Sequence, residues 1–548
     1  MNGLSDGVRT LLKVMACFGS STNESVIGYL SESAEYSGVR DWLEGAVSDG
    51  FIEKDGGGNF KFVHDKVREA AYNLISDSAK KQFHYNLGKV LYAICEDKLP
   101  GYFLLTQILL AQGKVVDAYN TCSLALTKLG ESIPDAVTTE AAQTMIKETL
   151  NMYKDDSWLR KKMEDNTLRT IVKFYGAIAT VGFFCKSHNI VVYLICTAVQ
   201  TSLRKGICQD TPLSLLQFTA HAINDSNAAS VYPIAQNAMR LFQSFELMDQ
   251  ISGVFKHFYG RIAWRFEPFQ VCADNLRRGF ESGLSFGHAD IGFYCSFHAI
   301  KTAVFSGANL KSLLREIDYY LHRLETYKSE LIKNALLIFR ETVSTLIDKE
   351  HATSIEAKAY IGDLNDPGNK IRDMLLFHRA IRAYYLGYAE RCHHCIEKCM
   401  PMLGPEVGFF KFHMEFYYGL NSVQKWREQN AVKSKEVVRN SISAMRNAAT
   451  NSDWNFTNKL YLLEAEQQSL CYNHPQAKAS YDASIASAKK SGFIHEQGLA
   501  SEKAGFYYKR TGDVQKASEY FNQARQCYEE WGSSLKVDFI QKELNNLC

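Results

Sequence analysis

Proline is scarce in this 548-residue chain. Nine prolines make up about 1.6% of it, against an average near 5%, and none precedes Pro100. Because proline breaks helices, the shortage predicts long uninterrupted ones. Excess charge is also missing: 62 Lys and Arg stand against 60 Asp and Glu, a net of +2. That balance excludes a polyanion binder defined by bulk charge. Long apolar runs are absent too. The longest, Ile190 to Val199, falls well short of the roughly 20 residues of a spanning helix, so it predicts a buried helix and no membrane span. The stretch Leu11 to Gly19 is interrupted by Lys13 and preceded by Asp6, so it fails as a secretion signal. The fourteen scattered cysteines then read as reduced thiols, and the expected location is the cytoplasm.

Catalytic signatures are missing as well. No G-x-x-x-x-G-K-[ST] phosphate loop occurs: Gly88-Lys89 continues into Val90, and Gly113-Lys114 into Val115. No Lys, catalytic Asp and metal-binding Asp follow one another in the order a kinase needs.

What is present is ordinary globular composition, 46% hydrophobic and 22% charged, enough for three or four domains or one repeat array. Near the N-terminus, Val8, Leu11, Leu12 and Met15, and then Val26, Ile27 and Leu30, recur at three- and four-residue spacing around a turn at residues 19–23. A third helical pattern, from Val39 to Val47, ends at Gly50. Two short alternating runs, Phe51 to Lys54 and Asn59 to Val63, flank the Gly-rich segment 55–58 and predict a β-hairpin. Three helices and a hairpin make a winged helix, assigned to residues 1–78. Its seven basic and twelve acidic residues give a net of −5, which repels phosphate and argues against nucleic acid.

Downstream, a glycine is followed by a small residue five positions on and another seven further: Gly113, Ala118, Ala125; Gly387, Cys392, Cys399; Gly512, Ala517, Ala524. A turn glycine ends one helix, and two small residues on one face let a neighbour approach. Ala477, Tyr481 and Ser484 recur about 40 residues later as Ala517, Phe521 and Ala524, a tetratricopeptide-like spacing. Residues 79–548 are therefore expected to be a helical-repeat domain. The fold class is all-α: a solenoid of tetratricopeptide-like helix pairs preceded by a small winged helix, with a concave face for a protein partner.

The hairpin runs into Phe62-Val63-His64-Asp65-Lys66-Val67-Arg68, and there the chain resembles the winged-helix end of STAND-type signalling ATPases. These multidomain proteins place an AAA-like ATPase and helical repeats before a histidine kinase or nucleotide cyclase. Asn458 to Glu466, Tyr481 to Ile485, Gly492-Phe493, Tyr528 to Gly532, Gly279 to Gly283 and Phe305 to Leu310 resemble the same family's repeats. The resemblance implies that His64, with Asp65 beside it, senses the phosphates of bound ADP when an ATPase domain is present in cis or in trans. Read from the residues alone, the two simply cap the next helix. The resemblance also places the ATPase upstream and the effector domains downstream of this stretch. The expected function is thus a non-enzymatic regulatory and protein-interaction module without a cofactor. The alternatives are a fragment of a nucleotide-dependent sensor kinase or cyclase, and a winged-helix transcription regulator.

Two motifs invite other readings. Gly283-Leu284-Ser285-Phe286-Gly287 satisfies the G-x-S-x-G of hydrolases, but no β-branched strand precedes it. It is expected to be a turn between helices. Cys392-His393-His394-Cys395 with Cys399 has zinc-ligand chemistry, yet Cys392 and Cys399 occupy the small-residue positions of the repeat, where buried cysteine packs like alanine.

Overall fold

The computed structural model describes residues 4–19, 21–54, 59–95, 99–111, 114–153, 157–327, 329–348, 372–400, 408–429 and 432–547. Helix dominates, and helices pack on their successors in pairs, an all-α arrangement consistent with a solenoid. Pro100, Pro212 and Pro475 fall in the first turn of helices, where a missing N–H costs nothing. Pro233 is the exception, inside Ala228–Ser244. Two compact units divide the chain: Met1–Phe218 with Gln236–Val254 and Glu281–Asp290, and Thr219–Ala235 with Phe255–Phe280 and Ile291–Cys548.

The first unit begins with α1 (Asp6–Phe18), β1 (Ser21–Asn23), α2 (Glu24–Leu30), α3 (Val39–Ser48), β2 (Ile52–Lys54), β3 (Asn59–Phe62) and α4 (Asp65–Asn73). Ser5 starts α1, its Oγ accepting from the Val8 N–H. Leu11, Leu12, Val14 and Met15 of α1 are fully buried with Leu30, Val39, Ala46 and Ile52. The three strands form an antiparallel sheet in the order β1-β3-β2, Thr22 opposite Phe60 and Lys54 opposite Phe60 on the other edge. The sequence pattern read residues 21–23 as turn. They are a strand because β3 offers a free edge, a partner that three residues cannot announce. The Gly-rich segment 55–58 lies outside the described residues.

Later in this unit, Asn166–Cys185 is the one helix, among the described residues, long and apolar enough to cross a membrane by length and composition. It turns Ile171, Val172, Phe174, Tyr175 and Ile178 into the protein. Ile190 to Val199 lies in the helix His188–Lys205 and is almost wholly buried, as its composition predicts. Ser285, the hydrolase-like serine, ends a helix and donates its Oγ–H to the Glu281 carbonyl. Gly287, at φ +78°, then turns the chain.

In the second unit the pairs are Arg372–Tyr385 with Ala389–Cys399, Gly408–Gln429 with Val432–Asn451, Asp453–Leu470 with His474–Lys490, and Ile494–Thr511 with Val514–Trp531. The first helices of successive pairs also touch one another. The repeat pattern maps onto this packing. Gly387 and Gly512 take left-handed conformations at helix ends. Cys392, Cys399, Ala477, Tyr481, Ala517, Phe521 and Ala524 are fully buried. Gly113, in the third instance of the pattern, lies outside the described residues.

Helices Asp453–Leu470 and Ile494–Thr511 are buried nearly all round, whereas His474–Lys490 and Val514–Trp531 keep one wet face. The inner face of the pairs is covered by the same unit. Asn455 Nδ2 donates to the carbonyls of Trp264 (3.0 Å) and Glu267 (2.7 Å), and its Oδ1 accepts from the Phe269 N–H. Ser533 and Ser534 hydroxyls donate to the carbonyls of Leu346 and Ile347. Segments quoted for the family resemblance meet here: Gly307 abuts Gly492-Phe493, and Asn309 Nδ2 donates to the Glu530 carbonyl.

Gly505 is required by a close approach: a Cβ there would lie 2.6 Å from the Phe521 ring. Gly505→Ala is therefore expected to destabilise the chain by about 1–3 kcal/mol through overpacking. Denaturant titration measures this, and Gly505→Ala with Phe521→Leu should recover part of the loss.

Candidate functional site

His64 is the N-cap of α4. Its Nδ1 accepts the Lys66 N–H at 3.1 Å, and the side chain is exposed. The capping reading named both residues; His64 holds the N-cap position and Asp65 is the first helical residue, its side chain lying outside the described residues. The outward ring nitrogen of His64 leaves the imidazole free to meet a second group.

The cysteine-histidine cluster lies on the helix Ala389–Cys399. Cys392, Cys395 and Cys399 are buried, and burial pushes the Cys392 and Cys399 thiols up to about 12. Cys399 Sγ donates to the Asp373 carbonyl, His393 pairs with Glu397, and His394 is exposed. No group of three or more His, Cys, Asp or Glu is placed to hold a metal among the described residues. Every described cysteine is a free thiol, and Cys471 alone is exposed.

Two features concentrate chemistry in the second unit, and neither is visible in the sequence pattern. One is a set of buried charges on the inner helices. Lys459 and Glu496, 1% and 2% exposed, pair at 2.8 Å, and Lys459 Nζ lies 4.7 Å from the centre of the Phe493 ring. Glu466 pairs with Arg427 at 3.0 Å and accepts the Tyr481 hydroxyl. Glu502 pairs with Lys536 at 2.7 Å and accepts the Tyr528 hydroxyl. Burial alone would raise the Glu466 carboxyl, but Arg427, Lys503 and Arg510 outweigh it and hold it low. Four histidines are buried in the same unit, and His298 is half-buried there. Burial, reinforced by neighbouring cations, holds His257, His298 and His413 well below their usual range and takes His378 down to about 3. His495 falls to about 4 through burial, with Glu496 opposing and Lys459 assisting.

The other feature is a cleft of about 260 Å³ between Gly408–Gln429 and Val432–Asn451. Asn440, Ser443 and Asn447 line one wall, Lys411, Phe412 and Glu415 the other, and Asp225 closes it, paired to Lys411 at 3.1 Å. A second cavity of about 10 Å³, room for one water, shares Asp225, Phe412 and Asn447 with the cleft and adds Trp264, Arg265 and Asn451. Spacings of seven and four put Asn440, Asn447 and Asn451 on one helix face.

Comparison with protein-family models and with curated proteins finds no match.

Two outcomes follow from the buried charges. Lys459→Met leaves Glu496 buried and unpaired, so it is expected to cost about 3–5 kcal/mol, while Lys459→Met with Glu496→Leu recovers most of that. Equal losses in the single and double variants, measured by urea unfolding, would show that the pair is not coupled. The histidines set a pH dependence. Their folded pKa lies below the unfolded 6.5, so below pH 6.5 the unfolded chain binds protons that the native chain refuses. Stability should therefore fall as pH drops, by about 1.4 kcal/mol per unit for each fully neutral histidine. Thermal melting at pH 7.5 and 5.5 reads it, and an unchanged midpoint would contradict the neutral assignment.

Proposed function

We propose that this chain is a non-enzymatic regulatory and protein-interaction module of the STAND type, in which residues 1–78 form a winged helix and the tetratricopeptide-like helix pairs hold a partner segment. The observation that carries the reading is the order of the N-terminal elements: helix, strand, two helices, and two more strands, with β3 central in the sheet. That order supports the winged-helix reading. The buried small residues Ala477, Ser484, Ala517 and Ala524 support the repeat assignment, since they permit the close helix approach on which such pairs depend.

The net charge of −5 over residues 1–78 favours a protein surface over DNA as the counterpart of the winged helix. His64, exposed at the start of α4, is suited to meet the phosphates of ADP held by an AAA-like ATPase domain in cis or in trans. A charge-assisted hydrogen bond from the imidazole to a phosphate oxygen would favour the ADP-bound, inactive arrangement.

The chain alone is then expected neither to hydrolyse ATP nor to bind Mg-ATP at micromolar concentration, because no phosphate loop supplies the backbone cradle. Calorimetric titration tests this. In a protein joining the chain to an AAA-like ATPase domain, His64→Ala should speed ADP release by about tenfold while lowering the melting stability of the chain by no more than roughly 1 kcal/mol for the lost cap. An unchanged ADP off-rate would remove His64 from the relay.

A further inference from the structure

The helix Ala389–Cys399 sorts its charged residues by sign. Helical spacing puts Glu390, His393 and Glu397 on one stripe and Arg391, His394 and Lys398 on the next. The acidic stripe is engaged within the second unit: Glu390 pairs with Lys425 at 3.0 Å, and Glu397 with Lys433 at 2.7 Å and with His393. The basic stripe is not. Arg391, His394 and Lys398 are exposed, and among the described residues none of them makes a hydrogen bond or an ion pair.

Arg379 joins them from the preceding helix, Arg372–Tyr385. It is half-buried, and it too has neither hydrogen bond nor ion pair among the described residues. Cys395, 6% exposed, locates the cluster. Burial raises its thiol, and Arg379, Arg391, Lys398 and Arg382 all oppose that rise, which places four cations around one buried sulfur. Arg382 is neutralised by Glu341, and Arg372 further along the same helix by Asp373. Three full charges remain, on Arg379, Arg391 and Lys398. With residues 1–78 at −5 and the whole chain at +2, residues 79–548 carry only +7 over 470 positions. Three unpaired cations beside one thiol are therefore a local concentration that the general composition of the repeats does not produce.

Like charges fixed on one surface repel each other, and an anion from outside relieves them. Arg391 and Lys398 are separated by about 10 Å along the helix axis, the reach of roughly three extended residues. The surface is also narrow. Glu390 and Glu397, whose side chains are 80% and 39% exposed, border it, so a broad polyanion such as a membrane or a duplex would meet their carboxylates as well. A slim segment confined to the stripe avoids them.

We propose that the basic stripe of Ala389–Cys399, with Arg379 beside it, docks an acidic, extended segment of a partner protein whose carboxylates stand about three residues apart. The proposal deepens the interaction-module reading and rests on it. The planar forks of Arg379 and Arg391 each suit bidentate pairing with a carboxylate, and Lys398 adds a point charge at the far end.

The probe is a fluorescent peptide of about ten residues, blocked at both ends, with glutamate at every third position and glycine and serine between. Anisotropy titration of the full chain should show binding of this peptide and none of its glutamine counterpart. Arg391→Glu with Lys398→Glu should weaken binding at least about tenfold without changing the melting temperature, since both side chains are exposed. Arg379→Gln should weaken it as well. Lys489→Glu with Lys490→Glu, the same change of net charge at exposed positions on another helix, should leave it unchanged. Equal binding of the two peptides, or equal weakening by the two double reversals, would overturn the proposal in favour of non-specific attraction. Failure of the glutamate peptide to bind would overturn it too. A single DNA strand of the same charge that displaced the peptide at lower concentration would reassign the stripe to nucleic acid. Each of these results leaves the STAND-type reading to the ADP-release measurement, which does not involve the stripe.

Discussion

Ionisable side chains carried on the inner helices must find their opposites across a helix boundary, and the second unit is built around that constraint. Lys459 reaches from one inner helix to Glu496 at the start of the next. Glu466 is held by Arg427 from the preceding pair, and Glu502 by Lys536 from the following helix. A pair of this kind adds little net stability once its desolvation is counted, but a helix displaced by one residue would strand both charges in an apolar interior. The three ion pairs link three consecutive helix pairs and the terminal helix Ser534–Asn545 in chain order. Their effect is on register: each inner helix is fixed relative to the one before it, while the small residues on the outer helices set only the distance of approach.

The same crowding determines where a partner can bind. A bare solenoid offers its inner face, but here Asn455 ties that face to Trp264, Glu267 and Phe269, and Ser533 and Ser534 close on Leu346 and Ile347. Phe269 packs against Phe409, Phe456 and Phe493 in the space between. Aromatic residues that could have lined a groove are therefore core. The wet side of Val432–Asn451 carries the exposed side chains of Asn440 and Asn447.

Much of this was legible in the residues, for definite reasons. Ala517, Phe521 and Ala524 announce a buried helix face because helical periodicity writes packing into spacing, and the same spacing explains cysteine at 392 and 399. The alternation around Ile52 and Phe60 announced β2 and β3. Three residues of β1 could not, since its strand character comes from pairing with β3 some forty positions away. Arg265 was illegible for a similar reason: its burial depends on Gly408 and Phe412, far along the chain, and no local pattern distinguishes an unpaired arginine from a paired one. The buried histidines were likewise hidden, each looking like an ordinary polar residue until its neighbours are known.

One segment belongs to both the covered inner face and the cleft. The Trp264 carbonyl accepts from Asn455, three residues before Asn458 and four before Lys459 on the same inner helix, while the adjoining Arg265 lines the cavity. A displacement of Arg265 would pull on a backbone already bonded to the helix that carries the Lys459–Glu496 pair. Because that pair tolerates little displacement, the inner helix has two options: hold its register, or shift as a unit with its neighbours. A packed interior with paired charges passes on such a shift rather than absorbing it locally. The buried charges that fix the register of the inner helices thus also tie those helices into one packed interior.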